Sequence, residues 1–454
     1  MKVLKRLSFT LAIVFTAMIL FTMSAFALTE GDWEFKLLDN KVKITDYIGE
    51  GGDVIVPETL YGFPVTEMQS WTYLLSHEDI TSITFPTSLE TIPAQVCCSV
   101  NERLTTVSFP DTLKKIDSVA FEGCRQLTNV YLPDSLEEIG DSAFAICPKI
   151  TSVNFPKNLR ILGDGVFADS GLTEVDVPYI EQIGESLFAG CENLEKATLA
   201  VGYTEIPNET FVRCYGLKEV VIPETVTDIG SEAFKDCTSL KQIILPVGLK
   251  SIGSDAFRDC DSLTEVVIPY GVESIGYAFR DCDNLKSLYI PDTVTSISPS
   301  ILGGSDNCII YCSAGSVAEE VCKKNEISYI TDESVNSVIT VLYNGTRISF
   351  HSYGQNPELL ESRTLVPLRS IFEAMGADVE WDQSTSTAIA KRDGVEIKIQ
   401  IGANEMYKDG KSIPVDVPAR LLNDRTMVPV RVIAESFGAN VEWNQNGRTV
   451  LITE

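Results

Sequence analysis

At 454 residues the chain is long enough for two or more domains, and its 44% hydrophobic residues supply their cores without the composition of a multi-span membrane protein. A formal charge of −28 repels nucleic acid and anionic lipid. Only two histidines, His77 and His351, occur, too few for a three-imidazole copper centre.

The chain opens with Lys2, Lys5 and Arg6, then the apolar run LSFTLAIVFTAMILF, then Ala25-Phe26-Ala27. Residues 1–27 therefore predict a secretory signal peptide cut after Ala27, with no integral membrane segment left afterwards. The excess acid lies ahead of residue 336, because from Asn336 onward 12 basic residues face 15 acidic ones. The expected location is secreted or cell-surface associated.

Residues 28–56 are expected to form an N-terminal cap. The stretch VKITDYIGEGGDVIVP alternates apolar and polar residues around a Gly-rich turn, which predicts a hairpin over the first coil. From Pro57 the chain repeats a phrase such as IGSEAFKDCTSLKQIILP, closing at Pro86, Pro110, Pro133, Pro156 and Pro178, at Ala200, and at Pro223, Pro246, Pro269 and Pro291. The intervals are 22 to 24 residues except the first, of 29, where a loop carrying Trp71 replaces the usual phrase. A period of this length with Leu, Val and Ile at fixed offsets predicts a leucine-rich solenoid over residues 57–330, short β-strands alternating with helical or irregular turns.

Within a coil, L-x-x-V-x-I-P gives a strand with Val and Ile inward, V-x-x-I-G gives a second strand, and A-F-x-x-C gives a turn whose Phe is the large core residue. Cys124, Cys147, Cys191, Cys214, Cys237, Cys260 and Cys282 hold one column, with Ser170 in the same slot. Stacked at about 4.8 Å, parallel side chains miss the shorter Cβ separation a disulfide needs, so the column predicts buried free thiols. Ligands strung along an axis also cannot converge on zinc. The outward residue of the first strand reads Ser108, Tyr131, Asn154, Asp176, Thr198, Val221, Ile244, Val267 and Tyr289. Its apolar end, Val221, Ile244, Val267 and Tyr289, is a candidate binding patch, with the Trp71 loop as a second. The plainer reading of these residues is strand propensity or burial under the C-terminal domain.

After Pro291 the segment CIIYCSAGSVAEEVCKKNEISYI predicts a helix and strand that close the last coil, with Cys312 and Cys322 the pair best placed for a disulfide. The recurring I-G-x-x-A-F-x-x-C-x-x-L-x-x-V-x-I-P resembles the BspA-like leucine-rich repeats of bacterial surface proteins. That resemblance implies the fold and a surface location, and leaves the partner open.

TDESVNS, residues 331–337, reads as a linker. Beyond it, residues 338–454 carry a duplication at an offset of 62: Arg363-Thr-Leu-Val-Pro-Leu-Arg369 recurs as Arg425-Thr-Met-Val-Pro-Val-Arg431, and Gly376 with Trp381 as Gly438 with Trp443. Each copy predicts a strand, a helix entered at Pro367 or Pro429, a glycine stop and a strand bearing the Trp, with hairpin turns at Asn344-Gly345 and Asp409-Gly410. The result is a small α+β domain. The two phrases resemble the copper amine oxidase N-terminal-like domain, also called a stalk domain, which that family holds as an appended, non-catalytic module. Arg363, Arg369, Arg425 and Arg431 are candidates for a guanidinium surface that holds acidic wall polymers; their structural reading is pairing with acids such as Glu373 and Glu435.

No nucleophile elbow, phosphate loop or metalloprotease motif is present, and neither histidine has a nucleophile phrase beside it, so no enzyme, catalytic residue, metal or cofactor is expected. The expected function is surface recognition or adhesion, the solenoid binding a protein or glycan on a host, bacterial or own cell surface and the C-terminal domain acting as stalk or wall tether. The alternative is a structural cell-envelope component without a foreign partner.

Overall fold

A computed structural model of the chain describes residues 27–70, 79–97, 102–332, 335, 339–344, 346–348, 350, 357–360, 362–422, 425–444 and 448–454. The signal segment through Phe26, Trp71, His77 and His351 lie outside the described residues.

The repeats stack into a solenoid with two parallel β-faces and a third wall of turns. Strands from L-x-x-V-x-I-P pair column to column, so Thr198 lies opposite Val221, and Val267 opposite Tyr289. Strands from V-x-x-I-G do the same over two residues, Lys115 beside Glu138, then Ile161, then Gln182. The glycine ending that phrase is required by proximity: a Cβ on Gly253 would lie 2.6 Å from the backbone nitrogen of Ser231 in the coil before.

Along the axis the phenylalanines form one fully buried stack. From Phe121 through Phe144, Phe167, Phe188, Phe211, Phe234 and Phe257 to Phe279, ring centroids are 5.2 to 6.2 Å apart and nearly coplanar in orientation. The turn holding each Phe is not helical. From Phe121 to Phe257 it places a left-handed residue two positions before the ring and another two after, as at Glu209 and Arg213, φ +57° and +61°; at Phe279 only the second, Asp281, is left-handed. Such residues cost about 1 kcal/mol each. The compensation is a ladder, in which Glu209, Phe211 and Arg213 donate N–H bonds of 2.8 to 2.9 Å to Ser231, Ala233 and Lys235 of the next coil.

At two of the places where the β-faces are interrupted, a side chain or a missing proton displaces the ladder. On the first face no strand forms over residues 151–155, where the Asn154 amide bonds both the N–H and the C=O of Leu132 in place of backbone. On the second face, one sheet ends at Gln182–Ile183 and the next begins at Glu205–Ile206. Elsewhere the glycine N–H bridges this step, as Gly230 does to Ile206 at 2.8 Å, but here Pro207 has no N–H to give.

The N-terminal cap corrects one expectation. Lys41–Tyr47 forms its hairpin with Trp33–Leu38 around Asp39-Asn40, both left-handed, and Gly52–Ile55 instead pairs in parallel with Ile80–Thr84. The Gly51-Gly52 corner thus launches the first coil rather than turning a hairpin. At the far end helix α1, Val317–Asn325, capped by Ser316, leads to Tyr329–Thr331, which adds in parallel to Ile309–Cys312. The segment read as a linker is partly seated: Thr331 is in a strand, the Asp332 N–H reaches the Cys312 carbonyl, and Val335 is buried.

The C-terminal domain is folded about a pseudo-two-fold. Arg363–Pro367 runs antiparallel to Arg425–Pro429 with Val366 opposite Val428, equivalent residues on the local axis. Each strand leads directly into a seven-residue helix of about two turns, α2 at Leu368–Ala374 and α3 at Val430–Ser436, then a left-handed Gly376 or Gly438, then the Trp strand. The buried Val366, Ile371, Phe372, Val428 and Ile433 form its core.

Candidate interaction surfaces

The cysteine column is a hydrogen-bond device. Each thiol donates to the carbonyl of the Phe in the coil before it, Cys147 to Phe121, Cys214 to Phe188, Cys237 to Phe211 and Cys260 to Phe234, at 3.1 to 3.3 Å. Serine can make the same bond, since Ser305 donates to the Phe279 carbonyl at 2.8 Å; Ser170 instead meets the Cys191 sulfur of the next coil at 3.2 Å. Burial pushes the Cys191 thiol up to about 11 and Cys282 up to about 12, so the sulfurs are neutral donors rather than thiolates. All eleven described cysteines are free, Cys312 and Cys322 included. Two members were legible from the period but missed: Ser305, 23 residues after Cys282, and Cys97, which occupies the Phe slot and whose carbonyl receives Cys124.

The outward column divides at Val221. Val221 is 43% exposed and Tyr131, in the same column, 73%; Tyr179 at 54% and Val201 at 75% are exposed just past the ends of their strands. The remaining candidates are not on open surface. Tyr289 is 4% exposed and stacked on Tyr311 at 4.7 Å, and Ile244 and Val267 line one small cavity with Val335, Thr340, Leu342, Arg448 and Thr449 of the following segment and domain. Leu342 shows the same contact from the other side. It is buried yet lies outside its own domain's core, whereas Val341, next in the strand, is inside it. Two of the four patch residues, Ile244 and Val267, therefore face the C-terminal domain, Tyr289 is packed on the last coil, and Val221 alone of the four is open.

The four arginines separate into pairs. Arg369 and Arg431 reach Glu373 and Glu435 one helical turn on, at 3.7 and 3.9 Å, while Arg363 binds Asp416 at 2.6 Å and holds that carboxyl below its ordinary range. All three are about half exposed, so each pair contributes little to stability. Arg425 also has a partner. The two-fold brings Arg363 of the first copy beside Arg431 of the second, and with Asp416, Glu435, Glu442 and Trp443 they line a cleft of 660 Å³. Sequence reasoning listed the arginines by copy and did not see this cross-copy meeting, nor the part of Trp443.

On the third wall, Asp236, Asp259, Asp261, Asp281 and Asp283 crowd together, and burial followed by their mutual repulsion raises Asp261 above the ordinary carboxylate range. Among the described residues, no three His, Cys, Asp or Glu side chains converge as a metal site, and no helix is long and apolar enough to cross a membrane.

These features define a leucine-rich solenoid joined to a duplicated α+β domain. The BspA type leucine rich repeat region matches residues 72–195 and 181–309, and the copper amine oxidase N-terminal domain matches residues 342–452. The repeat match spans more than half of the chain, which belongs to the BspA type leucine-rich repeat family. No curated protein matches the chain. Among solved structures it is similar to a leucine-rich repeat protein of Bacteroides ovatus, at 18% identity over 67% of this chain and 100% of that one, with a TM-score of 0.40. A leucine rich cell surface protein of Faecalibacterium prausnitzii shares 23% identity over 67% and 97%, TM-score 0.42. The pneumococcal vaccine antigen PcpA shares 20% over 68% and 99%, TM-score 0.47.

Proposed function

We propose that this is an exported, non-catalytic surface protein of a bacterium that recognises a protein or glycan partner through the first β-face of its solenoid. The C-terminal domain holds it at the wall. The observation that carries the reading is a set of large exposed apolar groups along the coils from Tyr131 to Val221: Tyr131 at 73% and Val221 at 43% in the outward column of the first face, with Tyr179 at 54% and Val201 at 75% just past the ends of its strands. Single exposed apolar residues are ordinary, but several large ones over one run of coils mark a contact surface. Ile244 and Val267 then serve to seat the C-terminal domain at the end of that surface, fixing the angle at which the face is presented. The Trp71 loop remains a second candidate contact.

The test compares the full-length protein with a Tyr131→Ser, Tyr179→Ser, Val221→Thr variant for adhesion to the producer's walls, other bacteria and host matrix. Loss of adhesion to a foreign surface at an unchanged melting temperature supports the reading. Undiminished adhesion by the folded variant removes this face from consideration, and binding to the producer's own walls alone favours a structural envelope role.

A further inference from the structure

We propose that the cleft between the two copies of the C-terminal domain is a binding site for an uncharged saccharide chain. This rests on the wall-tether reading and names its ligand, and it departs from the expectation of an acidic polymer.

The cleft has the size of a small-ligand site and is built across the two-fold, so neither copy alone would form it. Its walls carry three kinds of group. Trp443 supplies an indole, half-buried against the domain's core and thereby held in orientation. Arg363 and Arg431 supply N–H donors: Arg363 spends its Nε on Asp416 at 2.6 Å and one Nη on the Ser362 carbonyl at 3.1 Å, leaving three of five N–H groups without a partner among the described residues. Asp416, Glu435 and Glu442 supply acceptors around the same space.

Charge decides between ligands. Two arginines face three carboxylates, so the lining is formally −1, inside a chain whose total is −28. A polyanion entering it would meet acids already paired to the cations it needs, and a long-range field of the wrong sign. A polycation would have to displace Arg363 from a 2.6 Å charge-assisted bond. Donors and acceptors interleaved beside a flat aromatic surface instead match a sugar ring, whose hydroxyl and amide groups both give and accept hydrogen bonds and whose C–H face packs on an indole. The ion pairs need not break, since each guanidinium and carboxylate retains capacity beyond its mutual bond.

The experiment titrates the full-length protein with chitotetraose, a neutral N-acetylated probe, and separately with lipoteichoic acid, in low and high salt. Expected are saturable chitotetraose binding that changes less than about twofold with salt, since no net charge is neutralised, and a loss of about tenfold in Trp443→Ala. Trp381→Ala, the matched position of the other copy, should bind like the parent. Asp416→Ala, which removes both acceptor oxygens of an exposed carboxylate on the cleft wall, should also weaken binding and gives the same answer should Trp443→Ala fail to fold. Equal loss in Trp381→Ala and Trp443→Ala, or salt-sensitive binding of lipoteichoic acid alone, overturns the proposal. Retention on isolated walls without affinity for chitotetraose overturns the saccharide assignment while leaving the tether reading standing; binding to neither removes both.

Discussion

The solenoid and the C-terminal domain are both built by repetition, but with different symmetry, and that difference governs what each can assemble. Translation sets each residue beside its own column: Phe on Phe, aspartate on aspartate, a thiol under the carbonyl one coil back. The two-fold of the C-terminal domain sets unlike positions together, so that Arg363 from one copy meets Arg431 and Trp443 from the other. Stacking by translation makes extended surfaces and long cores; a two-fold makes a cleft.

The largest expected effect tests how local the translational core is. Phe211→Ala removes a fully buried ring from a stack with neighbours at 5.7 and 5.4 Å, and should cost about 3–5 kcal/mol. Because each coil touches only its neighbours, the loss should appear as faster hydrogen exchange near Phe188 and Phe234, with Phe372 and its domain protected as before. Uniform deprotection of both domains would mean that the contact through Leu342 couples them into one cooperative unit.

A smaller effect separates the hydrogen bond of the thiol column from its volume. Cys237→Ala removes the 3.3 Å thiol donor from the Phe211 carbonyl, which keeps the Cys214 N–H at 3.1 Å, and should cost about 1 kcal/mol. Cys237→Ser restores a donor and should recover most of that in urea denaturation, as Ser305 does naturally on Phe279. Equal losses in both variants would make the column a matter of packing alone.

Much of this was legible in the sequence where the governing geometry is local or translational. The 23-residue phrase contains the coil, its inward Val and Ile and its Phe, because each stacks on a copy of itself. The duplicated Pro and Gly positions likewise mark α2, α3 and their ends. What was not legible depends on partners the period does not encode. The strand Lys41–Tyr47 chose Trp33–Leu38 because Asp39-Asn40 accepts the left-handed turn, a competition that alternation alone does not decide. Tyr289 looked like an anchor on an open face, yet it is withdrawn from solvent at the end of the solenoid that meets another domain, and a column pattern cannot say where a second domain lands. Arg363 could be seen to recur, but not to face Arg431, since that follows from the antiparallel register through Val366 and Val428.

The smallest expected effect probes the cost of translation on the acidic wall. Stacking the same column places Asp259 and Asp261 near Asp236 and Asp281, and burial first, then these like charges, raises both carboxyls above the ordinary aspartate value, although Arg258 works against the rise at Asp259. A raised folded-state value means the folded chain binds the proton more tightly than the unfolded chain does, so ionisation opposes folding at neutral pH and the penalty fades as pH falls through the raised values toward the ordinary one. The Asp259→Asn, Asp261→Asn variant should therefore be more stable than the parent by a few tenths of a kcal/mol, about 0.5 at most, at pH 7. Its advantage should shrink near pH ~4, where the parent's own acids are protonated. Urea midpoints at the two pH values measure it. A variant less stable than the parent at pH 7 would show that the pairs Arg258 makes with Asp259 and Asp281, at 3.2 and 3.0 Å, outweigh the repulsion that stacking creates.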